Sequence, residues 1–62
     1  MICVAKVQDL VFKTITFEIF YDVEDEKEAR VKMFNFIQTN SKPLKVIEYK
    51  LKKEINKLDF VL

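Results

Sequence analysis

Between residues 22 and 28 five carboxylates crowd together: Asp22, Glu24, Asp25, Glu26 and Glu28. Lys27 is the one cation among them, so five negative charges against one positive leave −4. Two kinds of chemistry suit such a run. Acids in the first turns of a helix complement the positive end of its dipole, a purely stabilising role. A rigid row of carboxylates also presents phosphate-like charge, and so can dock on a basic surface such as the nucleic-acid groove of another protein. A calcium loop is excluded, because such loops need a glycine at the sharp turn and ligands at alternate positions. The five acids are therefore the candidate partner-binding residues.

The C-terminal segment has the opposite sign. Lys42, Lys45, Lys50, Lys52, Lys53 and Lys57 against Glu48, Glu54 and Asp59 leave six minus three, or +3. A solvated lysine face that protects an edge strand from pairing explains this as well as phosphate contact does. Lys50, Lys52, Lys53 and Lys57 are the alternative nucleic-acid contacts, with Tyr49 beside Lys50 as a stacking surface if both lie on a sheet. Interleaved glutamates, a net charge of +1 and a single arginine, Arg30, weigh against that reading. Nucleic-acid binders concentrate positive charge.

Catalysis finds little to work with. The chain has no histidine, no glycine and one cysteine, Cys3. In an apolar strand and without a base, that thiol reads as a small buried hydrophobe rather than a nucleophile. A structural zinc site wants four Cys or His ligands, and phosphate-binding loops need glycine for close backbone approach. Residue 2 is isoleucine, which removes the N-terminal proline on which tiny tautomerases rely. No enzyme, no metal and no cofactor is expected.

The elements that must position these side chains follow from periodicity. Residues 2–7 are apolar on both parities, the mark of a central or covered strand. Val11, Ile15, Phe17, Ile19 and Tyr21 share one parity of a second strand, opposite Phe12, Thr14, Thr16, Glu18 and Phe20; the first set reads as the core stripe. Without glycine a two-residue turn is disfavoured, so a longer turn built around Asp9 joins the two strands. Residues 22–40 read as a helix capped by Asp22 or Asp25, with an acid three residues beyond Asp25 at capping spacing. Ala29, Met33, Phe36 and Ile37 form its inner stripe. Pro43 bars continuation. Residues 44–52 favour a strand through the β-rich Val46–Tyr49 stretch, and beyond them the tail reads equally as strand or helix.

The expected fold is α+β: one small β-β-α-β domain over residues 1–62, an antiparallel sheet with one helix on one face and a C-terminal segment that is strand or helix. Sixty residues bury only about 60% of their unfolded surface, and no disulfide or metal is there to help. Yet half of the residues are hydrophobic. Phe12, Phe20, Val31, Phe34, Phe60 and Leu62 are the surplus that one helix and one sheet cannot all cover, and contiguous apolar patches mark interfaces. They are the candidate dimer interface.

The first residues lack the basic region of a signal peptide. No window approaches the roughly 20 apolar residues of a membrane span. The lone thiol fits a reducing cytoplasm. A complete, very short cytoplasmic chain is thus expected. In general build it resembles accessory or inhibitory proteins of phages and mobile elements. The expected function is a homodimeric protein–protein interaction module that binds, and in one version inhibits, a partner protein. The alternative is a nucleic-acid-binding accessory or regulatory protein.

Overall fold

The computed structural model describes residues 1–54 and 56–60, with side chains through Leu58. The chain forms β1 (Ile2–Asp9), β2 (Ile15–Phe20), α1 (Glu26–Thr39), β3 (Leu44–Lys52) and a closing 3-10 turn at Lys57–Phe60. The three strands make one antiparallel sheet in the order β2-β1-β3. As a strand apolar on both parities should, β1 lies in the centre. The β-β-α-β expectation and the 44–52 strand agree with this, and the tail contains the 3-10 turn at Lys57–Phe60.

The core lies between α1 and one sheet face. Cys3, Ala5 and Val7 of β1 are buried there against Val23, Ala29 and Met33, with Phe20, Phe36, Leu44, Val46, Tyr49 and Leu51 packed around them. Small residues at Cys3, Ala5 and Ala29 let the helix settle closely on the central strand. Ala29, Met33 and Phe36 of the expected inner stripe face this core, and Ile37 is half-buried. Val31 and Phe34 point outward, 51% and 61% exposed.

The face of β2 requires a correction. Register pairs Phe20 with Cys3, Glu18 with Ala5 and Thr16 with Val7, so these residues share the helix side. Ile15, Phe17 and Ile19 of the five residues read as the core stripe lie on the face away from α1, and the other two, Val11 and Tyr21, lie outside β2 and are exposed. Phe20 is therefore no surplus residue opposite the core: its ring meets Phe36 edge-on, 5.7 Å between centroids. The more apolar parity of β2 thus faces away from the helix; of the inward set only Phe20 is a large apolar residue, and pairing with β1 decided the face. Phe12 also moves. It lies in the β1–β2 connection, 74% exposed, and not in the strand. The Phe60 side chain and Leu62 fall outside the described residues.

Asp9 builds the connection. Its Oδ1 accepts from the N–H of Val11 at 2.8 Å and of Phe12 at 3.0 Å. Its backbone N–H donates to Thr14 O (2.9 Å), and its carbonyl accepts from the Lys13 N–H (2.8 Å). With no glycine available, Lys13 itself takes the left-handed conformation, φ 63°. Such a residue costs about 1–2 kcal/mol over glycine in conformational energy, offset by the entropy glycine loses on folding. Lys13→Gly should therefore raise the unfolding free energy by about 0.5–1 kcal/mol. Urea titration measures it; an unchanged or lower midpoint would show that the left-handed position is not strained.

At the helix start Asp25, not Asp22, is the N-cap: its Oδ1 accepts from the Glu28 N–H at 2.8 Å. Asp22 instead turns the chain out of β2 with φ 56°, and Val23 N–H donates to Met1 O at 2.8 Å, closing the loop on β1.

Candidate functional site

The acidic run occupies the loop after β2 and the first turn of α1, and the fold uses most of it internally. Asp25 is spent on the cap. Glu26 Oε1 accepts from the Tyr49 hydroxyl of β3 at 2.7 Å and from Arg30 Nη2 at 3.2 Å, while Arg30 Nε reaches the same hydroxyl at 3.4 Å. The Tyr49 hydrogen bond, followed by the Arg30 charge, holds the Glu26 carboxyl below its ordinary range. Tyr49 likewise leads the effects that push the Arg30 guanidinium up.

Glu28 pairs with Lys32 at 3.7 Å. Lys32 Nζ also donates to the carbonyls of Tyr21 (2.6 Å) and Asp22 (3.2 Å), tying the helix to the end of β2. Counting Arg30 and Lys32 with the five acids and Lys27 leaves five minus three, or −2. Among the described residues the Asp22 and Glu24 side chains enter none of these pairs, and they remain the carboxylates available to a partner. The i,i+4 pairs Glu26–Arg30 and Glu28–Lys32 could have been read from spacing alone. Tyr49 could not, since it comes from a strand 23 residues away.

Of the C-terminal lysines, Lys50 and Lys52 stand on the open sheet face, in register with Val4 and Ile2, and Lys45 opposite Gln8 joins them. Lys6 lies on the same face, 3.9 Å from Glu48 and 6.0 Å above the Phe17 ring. Lys53 follows the end of β3, and Lys57 begins the 3-10 turn. The four expected lysines thus do not form one row; Lys45 belonged to the C-terminal lysine cluster but not to its four named contacts, and Lys6, from β1, was not among the candidates. Tyr49 is turned to the helix side and offers no stacking surface here. Leu58 of the 3-10 turn lines a hollow on the open face with Val4, Lys6, Phe17 and Lys50.

Compared with protein-family models, curated proteins and solved structures, the chain matches none. Its chemistry must therefore be read from its own side chains. Cys3 is fully buried, and burial pushes its thiol up, away from the reactive thiolate. Among the described residues no three His, Cys, Asp or Glu side chains are grouped to hold a metal ion, and no helix is long and apolar enough to cross a membrane. What the surface presents is apolar side chains and charge.

Proposed function

We infer that this protein is a small homodimeric interaction module of the cytoplasm, of the phage or mobile-element accessory type, that acts by binding a partner protein. One observation carries the reading: Phe12, Phe34 and Val31 stand outside at 74%, 61% and 51% exposure. Side chains of this kind gain by association. Asp22 and Glu24 supply the acidic rim and favour a partner with a basic surface.

Capture from a lysate of the source cells, with and without nuclease, tests it. Val31→Ser with Phe34→Ser should abolish capture of a protein that survives nuclease treatment. Asp22→Lys with Glu24→Lys should weaken that capture several-fold while circular dichroism stays unchanged. Capture indifferent to both pairs of substitutions refutes the reading.

A second reading draws on the open sheet face, where Lys6, Lys45, Lys50 and Lys52 gather beside Phe17. Among the described strand residues of that face, these four lysines and Glu48 sum to four minus one, or +3, a charge suited to single-stranded nucleic acid. It requires oligonucleotide binding that falls steeply with salt and is lost on Lys50→Glu with Lys52→Glu.

A further inference from the structure

We propose that this protein docks on an anionic lipid surface through the β1–β2 connection. Leu10, Val11 and Phe12 enter the headgroup boundary, and Lys13, Lys42 and Lys45 meet the lipid phosphates around them. The proposal goes beyond the protein-binding reading: it gives Phe12 to the lipid and leaves Val31, Phe34, Asp22 and Glu24 to the protein partner.

Leu10, Val11 and Phe12 are consecutive, and they stand 40%, 63% and 74% exposed in the turn. Turns are ordinarily polar, and three exposed apolar residues in a row call for a functional reason. β3, which leads on to the C-terminus, starts at this end of the sheet and runs away from it, to Lys52 opposite Ile2.

The backbone of the turn points to lipid. Every N–H from Leu10 to Lys13 has an acceptor within the protein. Leu10 donates to the Pro43 carbonyl at 2.9 Å, Val11 and Phe12 donate to Asp9 Oδ1, and Lys13 donates to the Asp9 carbonyl. An unpaired N–H resists transfer out of water, which is why irregular backbone avoids lipid. A protein groove offers acceptors of its own, whereas the apolar side of a headgroup layer offers few. Four consecutive donors satisfied from inside, beneath three outward apolar side chains, suit the second surface.

The charge at this end suits it as well. Residues 8–15 and 38–45 contain Lys13, Lys42 and Lys45 against Asp9 alone, three minus one or +2, and Asp9 Oδ1 is turned into the loop. Lys42 precedes the Pro43 that holds Leu10, and Lys45 stands opposite Gln8. Lys13 occupies a left-handed position, φ 63°, where glycine is the ordinary choice. The strained position thus keeps a cation beside the apolar tip. The acidic run at residues 22–28 lies at the other end of the sheet, where Val23 N–H meets Met1 O. The molecule therefore turns its basic, apolar end toward a negative surface and its acidic end away. Cytoplasmic leaflets are negative, and stable anchoring takes two signals, here an apolar tip and a basic collar.

The chain has no tryptophan, so Phe12→Trp places a single fluorescent reporter in the tip, and Phe34→Trp places one on the outer face of α1 as a control. Each full-length variant is mixed with vesicles of phosphatidylcholine alone or of equal parts phosphatidylcholine and phosphatidylglycerol. Phe12→Trp emission should move to the blue on the anionic vesicles only, and Phe34→Trp emission should stay in place on both. Co-sedimentation of the otherwise unmodified protein with anionic vesicles should weaken by about tenfold or more on Val11→Ser with Phe12→Ser, with circular dichroism unchanged. Lys13→Gly with Lys42→Ser should weaken it by about tenfold. Lys13→Gly relieves the backbone, so weaker binding there does not come from unfolding. A blue shift at Phe34→Trp, equal binding to neutral vesicles, or no sedimentation with either kind overturns the proposal. If Val11→Ser with Phe12→Ser removes a captured protein and vesicles do not bind, the tip serves a protein partner; the lipid surface then fails and the protein-binding reading stands.

Discussion

Met33→Ala is expected to lower the unfolding free energy by about 2–5 kcal/mol. Met33 is 5% exposed at the centre of the helix–sheet contact. The other buried apolar residues among those described are Cys3, Val4, Ala5, Val7, Val23 and Ala29. Every one of them is smaller, so the methionine fills space that none can reach into. Small domains hold roughly 0.05–0.15 kcal/mol per residue, so the loss is a large share of the total.

Urea denaturation followed by circular dichroism measures it, with Phe34→Ala as the contrast. Phe34 lies on the same helix but outside, and its truncation should stay within about 0.5 kcal/mol. Comparable losses for the two variants would mean that the buried face of α1 is wrongly identified.

Stability should also fall on acidification, through Asp9 and Glu26. In the folded protein the Asp9 carboxyl is held below its ordinary value by the Phe12 and Val11 N–H groups, with Lys42 adding a smaller attraction and burial opposing it. A carboxyl lowered in the folded state binds protons more readily when unfolded. Its contribution is thus fully present above the unfolded value, about 3.9 for aspartate, and is lost as pH falls through the folded value. Glu26 acts with the same sign through Tyr49 and Arg30.

A melting curve of the parent from pH 7 to pH 2 should therefore bend downward below about pH 4. Asp9→Asn with Glu26→Gln should flatten that bend. Asp9→Ala, which leaves two turn N–H groups without their acceptor, should lower Tm by several degrees at neutral pH. An acid limb identical in the parent and the double variant would show that these carboxyls are not the ones titrating.

Much of this was legible in the residues. Asp9 as the organiser of a glycine-free turn, Asp25 at capping distance from Glu28, the Ala29–Met33–Phe36–Ile37 stripe and the 44–52 strand all depend on neighbours a few positions away. Local spacing suffices for such features. The buried thiol of Cys3 was equally visible, because a strand apolar on both parities must be covered on both sides.

The acidic run shows where that legibility ends. Five carboxylates between residues 22 and 28 looked like one patch of charge, and the i,i+4 cations Arg30 and Lys32 were already a hint that it was smaller. Only the packing of β3 under α1 brought Tyr49 onto Glu26 and reduced the available acids to Asp22 and Glu24.

The sequence by itself determined the order strand, strand, helix, strand, while it left the tail open and placed Phe12 in a strand, and it removed histidine and glycine chemistry from consideration. The tertiary structure alone decided which face of β2 is inside. Alternation put Ile15, Phe17 and Ile19 on one face and Thr16, Glu18 and Phe20 on the other, and local pattern favoured the first set, the more apolar one, as the inner face. The choice came from pairing with β1 and from the small side chains at Cys3, Ala5 and Ala29, which bring the helix down on one side. The same choice turned Phe20 inward and set Ile15, Phe17 and Ile19 on the open face.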